Sequence, residues 1–323
     1  MSDSPPRVTI VITTHNRCCD VIRAIESCLM QSEACEILVY DDASTDQTAE
    51  TLRTRFPSIR VVHSETRCGY IALRNRGFRE GQGEIVVSID DDAYFTDPAT
   101  LTQVVDMFDR HPLAAALALP YIEPDSGRPT MTPIPPATRM RNYIGCAHAI
   151  RRHMALELGG YPELLIHQGE ERDLCIRLLD RGYEILYAGT PPIDHLYSSQ
   201  RDHSRVNYYG FRNTILFCWM RLPFPECLPR AVVSTLKLLC YQFSWDQLGV
   251  RLQALAAGWF GLLIHRRCRR PVSRHTYRLF QQLPSHGPLS IPMRSSLSHP
   301  HPAHPQTKPA ENHPQHSRNS LQR

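Results

Sequence analysis

Residues 84–95 read Glu84-Ile-Val-Val-Ser-Ile-Asp-Asp-Asp-Ala-Tyr-Phe95, an apolar run that stops abruptly at three consecutive carboxylates, Asp90, Asp91 and Asp92. Ile85, Val86, Val87 and Ile89 are β-branched with almost no polar alternation, the pattern of a parallel strand covered on both faces. The carboxyl end of such a strand is where an open α/β sheet binds its ligands. Three adjacent carboxylates there repel one another unless positive charge lies between them, and oxygen-rich sites suit Mg²⁺ or Mn²⁺ ions that also hold phosphate. The stretch therefore reads as a metal and phosphate site, with a solvated acidic turn as the plain alternative.

Working outward toward the amino terminus, residues 7–13 (RVTIVIT) form a second β-branched run that ends on Thr14-His15-Asn16-Arg17. Val21, Ile25, Cys28 and Leu29 then recur at helical spacing and predict one apolar face against a sheet. Residues 36–42 make a third strand, again closing on carboxylates, Asp41 and Asp42. Ser44 and Gln47 after it have capping-box spacing, and Ala49, Leu52 and Phe56 should face inward. A short strand at 59–63 and a helix at 71–80 lead back to the opening stretch. Strand and helix alternate throughout the first half, which predicts a doubly wound, mostly parallel sheet with helices on both faces.

Past Asp97-Pro98 the pattern gives a helix to about His111, an apolar strand at 114–119, and a proline-rich loop over 120–137. A helix at 151–158 stops at Gly159-Gly160, and Gly169-Glu170-Glu171 opens another that ends at Gly182. From Glu171, positions i+3, i+4 and i+7 are Leu174, Cys175 and Leu178, so Glu171 continues an apolar stripe. Partial desolvation should raise its pKa and make it a better proton acceptor. Asp173 and Arg177 form an i, i+4 pair.

Length and charge frame these motifs. The 323 residues suffice for one large or two smaller domains, and the net charge of +4 averages an acidic cleft region with a basic carboxyl-terminal third. Eleven scattered cysteines with no C-x-x-C pair read as reduced thiols in a cytosolic setting, and no apolar leader precedes the first strand. Three apolar stretches, 211–220, 231–243 and 248–264, fall short of the ~20 apolar residues of a spanning helix. They end in His265-Arg-Arg-Cys-Arg-Arg270, so they read either as helices on an anionic membrane surface or as a helical subdomain packed on the sheet. From Pro284 onward, Pro, His, Ser and Gln dominate and predict a disordered tail. The expected organisation is thus a domain at 1–200, a helical region at 201–283 and a tail at 284–323.

Taken together, T-T-H-N-R at 13–17, D-D-A-S-T-D at 41–46, R-N-R-G at 74–77, D-D-D-A at 90–93, G-G-Y at 159–161 and G-E-E-R-D-L at 169–174 closely resemble the family-two glycosyltransferases. The resemblance covers roughly the first 200 residues and is nearest to rhamnosyltransferase-type and other bacterial cell-surface polysaccharide enzymes. It implies a GT-A fold, a UDP- or dTDP-sugar donor, a divalent cation (Mg²⁺ or Mn²⁺) and inversion at the anomeric carbon. The acceptor would be a hydroxyl of a glycan or lipid-linked molecule, and the enzyme would work in the cytoplasm, at the inner face of the membrane if the helices touch it.

Carried over residue by residue, the resemblance implies that Thr13, His15 and Arg17 lie at the donor nucleotide, that Asp42 accepts from its base, and that Asp41 braces the loop. Arg74 reaches the donor phosphate or is an exposed helix arginine. Asp90, Asp91 and Asp92 form the D-x-D cluster, with Asp92 the direct metal ligand and Asp90 shared between ribose and metal water. His195 matches a histidine near the metal. Glu171 matches the catalytic base, with Glu170 its competitor. Arg212 and Asn213 are further cleft candidates. A nicotinamide dehydrogenase is excluded because no G-x-G-x-x-G follows the first strand. Nucleic-acid binding is not expected, since no recognition module carries the basic residues. The non-enzymatic alternative is a silent nucleotide-sugar-binding or membrane scaffold protein on the same fold.

Overall fold

A computed structural model of the protein describes residues 5–124, 130–196, 202–240 and 245–290. The first half alternates as the β-branched runs dictate: β1 (Val8–Thr14), α1 (Cys18–Leu29), β2 (Cys35–Asp41), α2 (Thr48–Arg55), β3 (Arg60–His63), α3 (Tyr70–Glu80) and β4 (Ile85–Asp90). Then follow β5 (Ala93–Tyr94), α4 (Thr100–Arg110), β6 (Ala114–Ala118), β7 (Tyr121–Ile122), β8 (Ala147–Arg151), α5 (Arg152–Glu157), α6 (Glu170–Asp180), β9 (Glu184–Tyr187) and β10 (Ile193–His195). The helices α7 (His203–Arg221), α8 (Cys227–Cys240), α9 (Leu248–Ile264) and α10 (Arg274–Gln282) complete the described part.

Seven strands form the main sheet in the order β3-β2-β1-β4-β8-β6-β9. β1 pairs in parallel with both β2 and β4, in a register that sets Thr13 beside Tyr40 and Asp90. The strand order reverses at the β1–β4 junction, and the crevice above such a reversal is the ligand site of doubly wound sheets. β1, β2 and β4 end there together, which brings residues 13–17, 41–42 and 90–92 to one edge. Ile85, Val87 and Ile89 are buried among α1, β2 and α4 residues, each contributing roughly 1.5–3 kcal/mol through removal from water.

Several expectations change. β8 is a strand that the pattern Ala-His-Ala-Ile-Arg did not signal, and it runs antiparallel to β4 and β6. Alanine and histidine carry little β preference, so this pairing is decided by a place between two apolar neighbours rather than by propensity. A second sheet, β5-β10-β7, lies within the passages expected to be irregular. Leu29 is 53% exposed rather than part of the inner face of α1. Ser44 and Gln47 form no capping box: Ser44 Oγ accepts from Asn16 N, and Asp46 rather than Ser44 receives Thr48 N. The cysteines divide between the core (Cys28, Cys146, Cys175, Cys218, Cys227) and the surface (Cys19, Cys68, Cys240, Cys268), with Cys18 and Cys35 half-buried.

The carboxyl-terminal helices share the sheet's core rather than forming a unit of their own. Phe211, Ile215 and Leu216 of α7 and Phe280 of α10 pack in one cluster with Leu174 and Leu178 of α6 and Tyr143. Gly258 and Gly261 let α9 press against α7, where an added Cβ would lie 2.9 Å from Ile215 and 2.7 Å from Leu216. Counted with the turn before it, residues Trp245–Ile264 reach 20 residues of mean hydropathy 1.2, long and apolar enough to span a membrane by length and composition, with 33% buried in the fold. The compact unit runs to Ser290. Residues 284–290 are packed, not disordered: Pro284 O accepts from Arg141 N, Leu289 N donates to Tyr121 O, and His286 is 5% exposed. The rest of the expected tail lies outside the described residues.

Candidate active site

At the edge above β1 and β2, two loops are stitched together by short polar side chains. Asn16, held at φ 52°, donates its amide N–H to Ser44 Oγ and accepts from Thr45 N at 2.8 Å. Asparagine tolerates this left-handed backbone because its side chain bonds locally. Asp41 accepts from Ser44 N and faces His63 Nδ1 at 2.8 Å, so it braces the loop. Asp42 accepts from Cys68 N at 2.6 Å and from Arg67 Nε at 3.0 Å, pinning the 67–69 turn. His15 Nδ1 lies 2.9 Å from Asp42 O. Thr13 and His15 are half-buried at the mouth of this edge.

The three aspartates have different neighbours. Asp91 turns inward, accepting from Thr14 Oγ1 at 2.8 Å and from Arg17 Nη1 at 3.0 Å. Burial pushes its carboxyl up to about 7, with Arg17 opposing and Asp92 reinforcing the rise. Asp92 also accepts from Arg17, at 2.7 Å, so this guanidinium supplies the positive charge that adjacent carboxylates require. Burial works against Asp92 ionising, but His195 and Arg17 hold it below the usual carboxylate range.

Asp90, Asp92 and His195 present one ligand atom each within 4.8 Å of one another. β5 and β10 create this meeting, since His195 pairs with Ala93 directly after the aspartates. His195 Nε2 lies 3.3 Å from Asp92 and 3.8 Å from Asp90, buried and without a hydrogen bond of good geometry. Its Nδ1 stands 3.1 Å from Glu123, which orients the ring so that Nε2 points at the aspartates. Burial lowers the His195 imidazolium, but Cys146, Asp92 and Glu123 raise it above the ordinary histidine range. A buried ring nitrogen aimed between two carboxylates fits a divalent cation, and the oxygen-rich donor set suits Mg²⁺ or Mn²⁺.

From this cluster a chain of charges runs to α6. Arg74, buried on α3, donates to Asp90 Oδ1 at 2.5 Å and to Gly145 O at 3.0 Å, and lies 3.4 Å from Glu170 Oε1. It is therefore not an exposed helix arginine, and of its nitrogens the buried Nε alone is left without a hydrogen-bond partner. Removing it would leave two carboxylates uncompensated, a loss of roughly 3–5 kcal/mol by analogy with buried pairs. Glu170 is fully buried, and burial together with Glu171 pushes it well above the ordinary glutamate range. Glu171 is half-buried and also raised, by burial first, while Arg74 opposes. Only Glu171 of this pair lines the cleft of about 230 Å³ shared with Asn142, Tyr143, Ile144, Gln168 and Thr214. Gly145 closes the gap between Arg74 and Glu171, since an added Cβ would lie 2.8 Å and 2.6 Å from them.

The turn that aims Glu171 is held by residues whose sequence signal was weak. Ile166, Gln168 and Gly169 all have positive φ, a strained approach for a β-branched side chain. Asn213 compensates by donating to Leu165 O, His167 O and Gln168 O, while Arg212 reaches Leu164 O. Arg212 and Asn213 thus clamp the turn. Asp173 keeps its i, i+4 bond to Arg177 at 2.8 Å and also accepts from Arg221 Nε at 2.5 Å, joining α6 to α7. Glu123 and Thr14 were missed, and Glu123 alone had a legible signal, a carboxylate directly after a short apolar run; Asn213 was a cleft candidate without a mechanism, and the structure makes it a clamp on the turn. A hollow of about 350 Å³ elsewhere is lined only by side chains around α2, Gln47 to Arg55, with no convergent chemistry.

Residues 9–159 match the family described as Glycosyl transferase family 2. With the strand order and edge above, the chain carries a family-two glycosyltransferase domain of GT-A fold. Among curated proteins it is similar to the putative colanic acid biosynthesis glycosyl transferase WcaA of Escherichia coli K12, 35% identical over 95 residues, 28% of this chain and 34% of that one. In three further curated relatives the match covers 44%, 34% and 30% of their own length, so the chain spans less than half of these proteins. Among solved structures it is similar in fold to S. aureus TarS 1-349 in complex with UDP-GlcNAc, with TM-score 0.58 and 16% identity over 85% of this chain and 90% of that one. A mannosyltransferase from Pyrobaculum calidifontis, solved with GDP-Man and Mn²⁺, aligns with TM-score 0.53 and 18% identity over 86% and 79%.

Proposed function

We propose that the protein is an inverting glycosyltransferase that moves a sugar from a UDP- or dTDP-sugar to a hydroxyl of a glycan or lipid-linked acceptor in cell-surface polysaccharide synthesis. The observation that carries this reading is the convergence of Asp90, Asp92 and His195 at one strand edge with Glu171 in the adjoining cleft. The donor complexes of the structural relatives support a nucleotide-sugar donor, and the Mn²⁺ of the mannosyltransferase complex supports the cation.

In this reading Thr13, His15 and Asp42 receive the nucleotide. Asp90, Asp92 and His195 would hold the divalent cation, which would supply positive charge to neutralise the departing diphosphate. Glu171 takes the proton from the acceptor hydroxyl as that oxygen attacks the anomeric carbon from the face opposite the leaving group, which inverts the centre. Its raised pKa brings it nearer the working pH, where a base is both ionised and able to accept. Glu170 keeps Arg74 in place behind it, and the silent-scaffold alternative leaves this open, desolvated carboxylate without a role.

We place the enzyme in the cytoplasm against an anionic membrane surface. Phe260, Leu263 and Ile264 are 64%, 70% and 61% exposed on one face of α9, with Leu252 on the same stripe, and the exposed Arg266 and Arg267 follow at once. An apolar face continued by arginines complements anionic headgroups.

The deciding experiment is calorimetric titration with UDP and dTDP, each with and without Mn²⁺, on the wild type and on Asp92→Asn. Cation-dependent nucleotide binding that disappears in the variant supports the reading. Binding of neither nucleotide, or equal binding by the variant, rejects it.

A further inference from the structure

The guanidinium groups around the cleft are nearly all matched to carboxylates. Arg17 pairs with Asp91 and Asp92, Arg74 with Asp90 and Glu170, Arg67 with Asp42, and Arg177 and Arg221 with Asp173. Arg172 breaks the rule. It follows Glu171 directly and lines the same cleft, yet its Nε is buried with no hydrogen-bond partner. Among the described residues it forms no ion pair. Its guanidinium lies over the Phe217 ring at 4.2 Å, a contact that fixes its position and leaves its N–H donors unused.

A second arginine stands close enough for its charge to act on Arg172. Arg141 is half-buried, adjoins the cleft residue Asn142, and has no ion pair among the described residues. The strap at 284–290 holds this lip in place: Pro284 O accepts from Arg141 N, and Asn142 Oδ1 accepts from Ser285 Oγ at 3.0 Å. Burial lowers Arg172 from the ordinary arginine range and the charge of Arg141 acts in the same direction, while Cys218, Asp173 and Glu171 oppose. A guanidinium group does not lose its proton under physiological conditions. Like charges brought together in a desolvated cleft are unfavourable unless an anion joins them.

We infer that Arg172, with Arg141, binds an anionic group of the acceptor, a phosphate or a sugar carboxylate placed near the hydroxyl that attacks. The inference rests on the assignment of Glu171 as the base, and it names the acceptor's chemical class: anionic rather than a neutral sugar. The planar fork of Arg172 is suited to two oxygens of one phosphate or carboxylate. In the proposed reading the donor diphosphate would be met by the divalent cation that Asp90, Asp92 and His195 would hold, so Arg172 is left for a second anion.

The test uses the full chain saturated with UDP and Mg²⁺, so that the donor site is filled. Inorganic phosphate is titrated by ³¹P line broadening and glucuronate by saturation-transfer proton NMR, on the wild type, Arg172→Gln and Arg141→Gln. Saturable binding of either anion, weakened about tenfold or more in Arg172→Gln and by a smaller factor in Arg141→Gln, supports the site, and the anion so affected identifies its source. Binding of neither anion, or equal binding by all three proteins, overturns it. UDP·Mg²⁺ binding by Arg172→Gln serves as the fold control and separates failure of this inference from failure of the donor reading, which would remove nucleotide binding from the wild type.

Discussion

Along the strand ends, every aspartate of the 90–92 run faces a cation or a potential one: Arg17 spans Asp91 and Asp92, Arg74 takes Asp90, and His195 stands between Asp90 and Asp92. Across the cleft, on α6 and the 141–144 lip, Arg172 lacks such matching, and the base of the site is a strained turn clamped by Asn213. The first region is organised in advance; the second leaves the buried Nε of Arg172 without a partner, which in the proposed reading is kept for a molecule that comes and goes. In the proposed reading the preorganised region takes the donor diphosphate, whose geometry is the same in each turnover. A partly unmatched wall suits a substrate recognised by a few directional contacts, at a cost in stability of the empty site.

The largest expected effect breaks the comparison on the acceptor side. Glu171→Gln should lose about 10²–10⁴-fold in transfer, the usual share of general base catalysis, while UDP and Mn²⁺ still bind. Wild-type rate should fall as pH drops through the raised carboxyl pKa of Glu171, at a midpoint above the ordinary glutamate range, and the variant should lack that limb. A raised carboxyl stabilises the fold below its unfolded pKa and loses that contribution as pH rises, so Glu171→Gln should melt no lower than wild type at neutral pH. A full-rate variant places the base elsewhere.

A smaller effect tests the donor side through a group that touches no ligand. Glu123→Gln should weaken Mn²⁺ binding about 10–100-fold by loosening the orientation of His195, with nucleotide affinity following the metal. Unchanged Mn²⁺ affinity by calorimetry would remove His195 and its partner from the metal site. The smallest effect concerns the outer face of α9. Arg267→Gln should weaken binding to phosphatidylcholine vesicles containing phosphatidylglycerol about fivefold, at about 1 kcal/mol per basic residue, whereas Phe260→Asp with Leu263→Asp should release the protein. Equal sedimentation with and without phosphatidylglycerol would deny the anionic surface.

The site was legible to differing depths. Asp90, Asp92 and Glu171 could be singled out because each lies where an apolar pattern meets carboxylates, a signal that local sequence carries. Arg74 was left between two readings, since nothing local says that an arginine on α3 will be buried between Asp90 and Glu170. Glu123 and Asn213 act through partners 72 and roughly 45 residues away, and no periodicity encodes such pairing. The folded strap at 284–290 misled the composition rule because its few apolar contacts, Leu289 and the ring of His286, are supplied with a surface by β7 and β9.

What the sequence by itself determined was the alternation of strand and helix, the parallel core about β1 and β4, and the positions of the acidic motifs, because side-chain periodicity and chain ends are local properties. Only the tertiary structure decided the antiparallel place of β8, the meeting of His195 with Asp90 and Asp92, the full burial of Glu170 beside a half-buried Glu171, and the isolation of Arg172. Each of these depends on which surfaces lose water together, and that is a property of the packed chain.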